Sequence, residues 1–225
     1  MNIKLIIVLL LFSLLAPTTF SQENKKAFFI ETQINTKIPI GNPTYNFFEY
    51  SPDVRIRVHS INKFRNPVYG LNISFNYLIN NNLSAGIGSG INISKYDFHP
   101  VEVDEYIDKI MLPVYGRFNY KRKLENTWIL RSNLKIGYQF ADYNYGNTED
   151  GFLFQDSGGI ISGIYIGIGK NIKTYHPYLK LGYEFNQFSH KYSLKGYGLT
   201  DLSYDKQISF KTHYHLITLS LVLEI

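Results

Sequence analysis

The 225-residue chain contains no cysteine. Disulfide staples, thiolate chemistry and a lipid-acceptor cysteine behind an export signal are all excluded. Tryptophan occurs once, and Ala and Leu do not dominate as they would in a helical bundle. Past residue 15 no apolar run is long enough to cross a membrane as a helix. A β-barrel is untouched by that last absence, because its strands carry a weak signal that hydropathy averaging erases.

What is present begins with a leader. Met1–Lys4 is a short positive start, Leu5–Leu15 an apolar core, and Thr19-Phe20-Ser21 a small-x-small cleavage site. Residues 1–21 therefore read as a secretory signal peptide, and 22–225 as one mature domain. Removing the leader takes Lys4 from a net charge of +5 and leaves about +4. For an exported chain that excess points to anionic lipid headgroups, and nucleic acid is not expected as a partner.

Tyr (19) and Phe (16) are abundant, and eight stretches alternate apolar with polar residues. A strand crossing lipid must pair all its backbone groups, so the sheet must close, with one face to hydrocarbon and one to the lumen. The expected strands cover about 27–37, 68–79, 83–95, 109–120, 128–140, 160–170, 178–188 and the C-terminal stretch ending at Ile225. Outward positions include Phe28, Ile30 and Ile34; Tyr69 through Tyr77 at every second residue; Ile87; Val114; Leu134; Ile164; Leu181; and Leu219 and Leu221. Inward glycines, such as Gly86, Gly88, Gly163 and Gly182, leave room for long side chains from the opposite wall. Pro113 cannot donate to a ladder, so strand four should contain a bulge or a locally broken pair.

Connections alternate between short (80–82, 121–127, 171–177) and long (38–67, 96–108, 141–159, 189–208), as periplasmic turns and extracellular loops do. The fold class is thus all-β: an up-and-down transmembrane antiparallel barrel of eight strands. Ten strands is the alternative, if Val54–Val58 pairs with Tyr45–Tyr50; an extracellular hairpin extension on eight strands is preferred.

The lumen face carries Glu31, Arg117, Arg131, Lys135, Lys180, Glu184 and Glu224, with Lys37 and Lys109. An interior of eight strands is just filled by side chains, so a plug of ion pairs is expected in place of an anion-selective pore. In the first long loop Arg55, Arg57, Lys63 and Arg65 stand among aromatics. They form a candidate contact for lipopolysaccharide phosphates through charge-assisted hydrogen bonds. Asp97, Glu102, Asp104, Glu105, Glu149, Asp150 and Asp156 supply calcium-type oxygens without a calcium-loop motif. A solvated charged surface is the plainer reading of both groups. His213 and His215 share a face near the outer rim, but spacing fixes no third metal ligand. No catalytic, cofactor or metal site is expected.

The run IMLPVYGRFNY at Ile110–Tyr120 resembles the Ile-Pro-aliphatic strand of the Bacteroidetes outer-membrane β-barrel family that includes PorT-like proteins. GIISGIYIGIGKNI, PYLKLGYEF and LITLSLVLEI follow in that family's order, so the resemblance spans most of the mature chain. It departs at Ile225, where a terminal aromatic is usual. The resemblance implies a small outer-membrane barrel and carries no functional residue with it. Three roles follow in order: a non-enzymatic outer-membrane protein with interacting loops, an accessory of secretion or envelope assembly, and a lipid-modifying enzyme. Expected partners are outer-membrane lipids, including lipopolysaccharide, and other envelope proteins.

Overall fold

A computed structural model describes residues 28–47, 63–64, 67–98, 105–124, 127–141, 143–145, 152–172, 175–197 and 203–225. The leader and Ala27 lie outside these residues, as do Arg55, Arg57, Arg65 and the Val54–Val58 segment. Eight long strands make the barrel: β1 (Phe28–Phe47), β2 (Val68–Leu78), β3 (Leu83–Phe98), β4 (Glu105–Lys123), β5 (Trp128–Phe140), β6 (Gly159–Lys170), β7 (His176–Tyr197) and β8 (Ser203–Glu224). Each pairs antiparallel with its chain neighbours, and β8 pairs with β1 to close the sheet. The barrel has eight strands, not ten. Tyr45–Phe47 continue β1 against Phe210–Thr212 of β8.

Closure is staggered. Phe28 pairs with Tyr77, and the chain of partners runs through Ala85, Phe118, Leu134, Ile164, Tyr183 and Ile217. It returns to β1 at Ile38, ten residues beyond Phe28. A shear of that size tilts the strands by roughly 35–45° and leaves an interior that side chains can fill.

The alternation is clean where lipid would enforce it. On β5 the seventh residue, Leu134, is 53% exposed while Asn133 and Lys135 are buried. Ile34, Phe75, Ile87, Val114, Ile164, Leu181 and Leu221 are likewise exposed, one from each remaining strand. The interior is instead polar, with Glu184 at 0% and Asn76 at 0%.

Turns at the end bearing Phe28 and Ile225 are short. Asn80 closes the β2–β3 turn by accepting from the backbone N–H groups of Asn82 and Leu83, both at 2.8 Å, which is the local bonding that suits Asn to turns. The β6–β7 turn is clasped by a backbone bridge between Ile172 and Tyr175.

Pro113 produces no bulge. Ser89 pairs with Val114 and Asn92 with Met111 in one unbroken register, and only the rungs at Leu112 and Pro113 are missing toward β3. Toward β5 both residues stay paired, with Phe140 and Gln139. The lumen glycines also differ from expectation, since their space is taken by the adjacent strand or, at Gly163, by Tyr165 of the same strand, and not by the far wall. Tyr165 lies over its cross-strand partner Gly182, where a Cβ would come within 2.0 Å of its ring. Tyr115 covers Gly88 in the same way, at 2.6 Å. Strong tilt brings a ring diagonally across its neighbour, so the glycine sits beneath it.

Candidate functional site

The lumen is the chemically richest part of the molecule, and its layers follow the strand register. Nearest the short turns, Glu224 pairs with Arg131 and, at 3.3 Å, with Lys121. His176 Nε2 stands 4.0 Å from the same carboxylate. The Arg131 guanidinium also lies over the Tyr178 ring at 4.6 Å, a favourable cation–π placement.

One layer further in, Arg117 donates to Glu31 and, at 2.9 Å each, to Ser74 and Asn119. Asn119 passes the network on to Asn76 and Ser84, both at 3.1 Å. Lys180 donates to Gln33, whose amide reaches Ser220 at 3.0 Å. The third carboxylate, Glu184, gathers the ammonium groups of Lys37 and Lys135, the Tyr165 hydroxyl and the Asn186 amide. All nine lumen residues named from the sequence are buried, and all but Lys109 join the ion-paired network. They form three groups centred on Glu31, Glu184 and Glu224, with Lys180 held by an amide.

These contacts cross the lumen. Glu31 and Glu224 are direct cross-strand partners on β1 and β8, and Arg117 and Lys135 are direct partners on β4 and β5. Like charges opposite one another in a sheet repel, so each wall depends on the other for its counter-charge. Removing buried charges from water is tolerated only with such pairing and further hydrogen bonds.

Above the ion pairs apolar side chains enter the interior, alongside buried Asn92, Gln139, Thr212 and His190. Met111, Phe188, Tyr214, Leu216, Val68 and Ile161 are buried there, with Phe188 and Tyr214 edge to face at 5.6 Å. The Lys109 ammonium lies 4.1 Å above the Phe188 ring. This apolar stopper was missed by sequence reasoning, although Leu216 beside Ile217 is a visible break in the alternation of β8. A recess of about 20 Å³ remains among Asn82, Ser84, Asn119, Arg131, Tyr178 and Glu224, room for about one water. The arrangement can brace a barrel from within.

Outside the lumen the picture is sparser. Lys63 lies in a two-residue strand whose backbone pairs with Tyr96–Asp97. Glu105 and Asp156 lie in strands, whereas Glu102, Asp104, Glu149 and Asp150 fall outside the described residues. Among the described residues no three His, Asp or Glu side chains gather to hold a metal. His213 and His215 both face outward from β8 beside Tyr183 and Phe185.

No protein-family model matches the chain, and no curated protein matches its sequence. Solved structures do resemble it in fold. Outer membrane protein OprG from Pseudomonas aeruginosa superposes with a TM-score of 0.54 at 10% identity, covering 88% of this chain and 95% of OprG. Neisserial surface protein A gives 0.45 at 11% identity over 90% and 99% of the two chains. AlkL in lipid bilayers gives 0.45 at 10% identity over 91% and 94%. The likeness to OprG carries the architecture, that of an outer-membrane β-barrel, and nothing finer.

Proposed function

We propose that the chain is an integral outer-membrane protein that conducts no solute and performs no catalysis, and whose extracellular loops carry its interactions. The observation that supports this is the inversion of the usual soluble arrangement. A closed belt of exposed Ile, Leu, Val and Phe surrounds a buried, ion-paired interior. A contiguous apolar surface of that extent is not stable in water and calls for lipid. Among the described residues the three buried carboxylates, Glu31, Glu184 and Glu224, are each bound to a cation, which supports a bracing role over a reactive one. Within this class we assign the chain to the PorT-like barrels on the order of its strand motifs, with a role beside secretion or envelope assembly as the second reading.

Topology provides the first test. A cysteine at Asn147, in the long β5–β6 connection, is expected to react with an impermeant maleimide on intact cells. A cysteine at Asn81, in the short β2–β3 turn, is expected to react only after the envelope is opened. Equal labelling at both positions would refute the orientation. The closed lumen is tested separately in planar bilayers, where the purified barrel is expected to give no steady single-channel current. Stable anion-selective steps would overturn that part of the reading.

A further inference from the structure

The short-turn end of the barrel carries its charge on one side. The β4–β5 connection opens with Lys121-Arg122-Lys123, and the β6–β7 connection holds Lys170 and Lys173. Glu125 is the one carboxylate in residues 121–127 and 170–176, whereas the β2–β3 turn at 80–82 is three asparagines. Because β5 pairs with β6, the two basic connections are neighbours, and the Asn171 N–H donates to the Thr127 carbonyl at 2.9 Å to tie them together. Glu31 and Glu224, the glutamates described at this end, do not offset the charge. Both are buried, and Arg117, Arg131 and Lys121 engage them.

Two of these cations stand on the lipid-facing register. On β4 the exposed outward side chains run Val114, Phe118, Tyr120 and then Arg122; on β6 they run Ile164, Ile166, Ile168 and then Lys170. In each strand the apolar series stops and the next outward side chain is an exposed cation. Trp128, the first residue of β5, lies between them. It pairs directly with Lys170, while Arg122 pairs with Leu130, two residues further along β5. Strand spacing and rise then put the Arg122 and Lys170 Cα atoms about 12 Å apart, so two long side chains can converge on one headgroup. Trp128, Tyr120 and, in the adjoining turn, Tyr175 are exposed. Rings of this kind settle where hydrocarbon meets headgroups, which sets the cations beside them at the depth of lipid phosphates.

We infer that Arg122 and Lys170, flanking Trp128, bind the phosphodiester of an anionic glycerophospholipid in the periplasmic leaflet. The inference rests on the outer-membrane reading above. Guanidinium and ammonium groups donate charge-assisted hydrogen bonds to phosphate oxygens, and each cation close to an anionic lipid surface is worth about fivefold in affinity. A zwitterionic lipid brings its phosphate with a cation already attached. A net-negative headgroup therefore suits a sector that holds five cations against one carboxylate. The occupant is a lipid and not a soluble polyanion, because both cations continue the outward register of the belt.

The test uses the purified barrel in phosphatidylcholine nanodiscs doped with phosphatidylglycerol, and the lipid retained on release is quantified by native mass spectrometry. Wild type is expected to retain phosphatidylglycerol about 25-fold better than phosphatidylcholine, and less so as salt is raised. The Arg122→Gln/Lys170→Gln variant should lose that preference while keeping the gel mobility of a folded barrel. Each single variant should lose about fivefold, and these serve if the double variant fails to fold. Arg122→Lys/Lys170→Arg, which keeps both charges, should retain the preference, and Lys191→Gln, at the loop end, should change nothing. Equal retention of the two lipids by wild type, or an undiminished preference in the glutamine variants, would overturn the inference. So would displacement of the lipid by inorganic phosphate, or binding to purified peptidoglycan through the same two residues in place of any lipid preference. A wild-type barrel that does not enter nanodiscs would refute the outer-membrane reading beneath the inference, whereas one that enters them and shows no preference faults this site alone.

Discussion

Glu184→Gln is expected to destabilise the barrel by roughly 3–5 kcal/mol, the usual consequence of stripping one partner from a buried ion pair. The substitution keeps the side chain's size and one carbonyl acceptor, removes the charge, and turns the other oxygen into an N–H donor facing donors. Glu184 is the counter-ion for both Lys37 and Lys135, and those ammonium groups would remain in a closed interior with no other carboxylate bonded to them among the described residues. Urea unfolding of the protein refolded into lipid vesicles measures the loss. A triple variant adding Lys37→Met and Lys135→Met should recover most of it, because an apolar replacement of the whole cluster has no charge to desolvate. No current should appear in Glu184→Gln, since Met111, Phe188, Tyr214 and Leu216 obstruct the lumen separately. If Glu184→Gln unfolds like wild type, water reaches the lysines and the plug is not dry.

The second large effect concerns the outer face. Leu134→Arg should cost about 2–4 kcal/mol, whereas Phe140→Arg should cost about 1 kcal/mol or less. Both side chains are exposed on the same strand, so neither disturbs the lumen. They differ in depth. Leu134 is six residues from either end of β5, where a guanidinium has hydrocarbon on all sides. Phe140 ends the strand beside the loops, where an arginine can reach headgroups. The same urea titration separates the two. Equal costs would mean that lipid does not cover this face, and would remove the main support for a membrane location.

Strand faces were legible in the sequence because two environments select residues independently at alternate positions. Leu134 and Asn133 are assigned correctly by pattern alone, and so are Ile164 and Tyr165. The upper strand ends were not legible. β7 was expected to stop near Phe188 and β4 to begin near Lys109, yet they reach Tyr197 and start at Glu105. Beyond the belt no hydrocarbon selects one face, so the alternation in the sequence fades while backbone pairing continues. For the same reason the short strands Tyr143–Tyr145 and Phe152–Asp156, which extend the sheet beside β7, left no signal. Charge on the lumen face was visible, but which cation meets which carboxylate was not, because partner choice depends on a stagger set by pairing around the whole barrel. The shared orientation of His213 and His215 followed from their spacing, while the register shift of β1 against β8 between Ile40 and Thr44 had no counterpart in the pattern.

The division of charge between walls bears on how the molecule assembles. The carboxylates come from β1, β7 and β8, and their main cationic partners Arg117, Arg131 and Lys135 come from β4 and β5. A β4–β5 hairpin formed early holds Arg117 directly across from Lys135 with nothing to neutralise them. Such a hairpin keeps its cations hydrated and resists burial until both chain termini arrive. Zipping the seam between β1 and β8 then sets Glu31 beside Glu224, which is itself repulsive unless the arginines dock in the same event. Seam closure and neutralisation are therefore one step, and a half-inserted, open sheet has no low-energy resting place on the way.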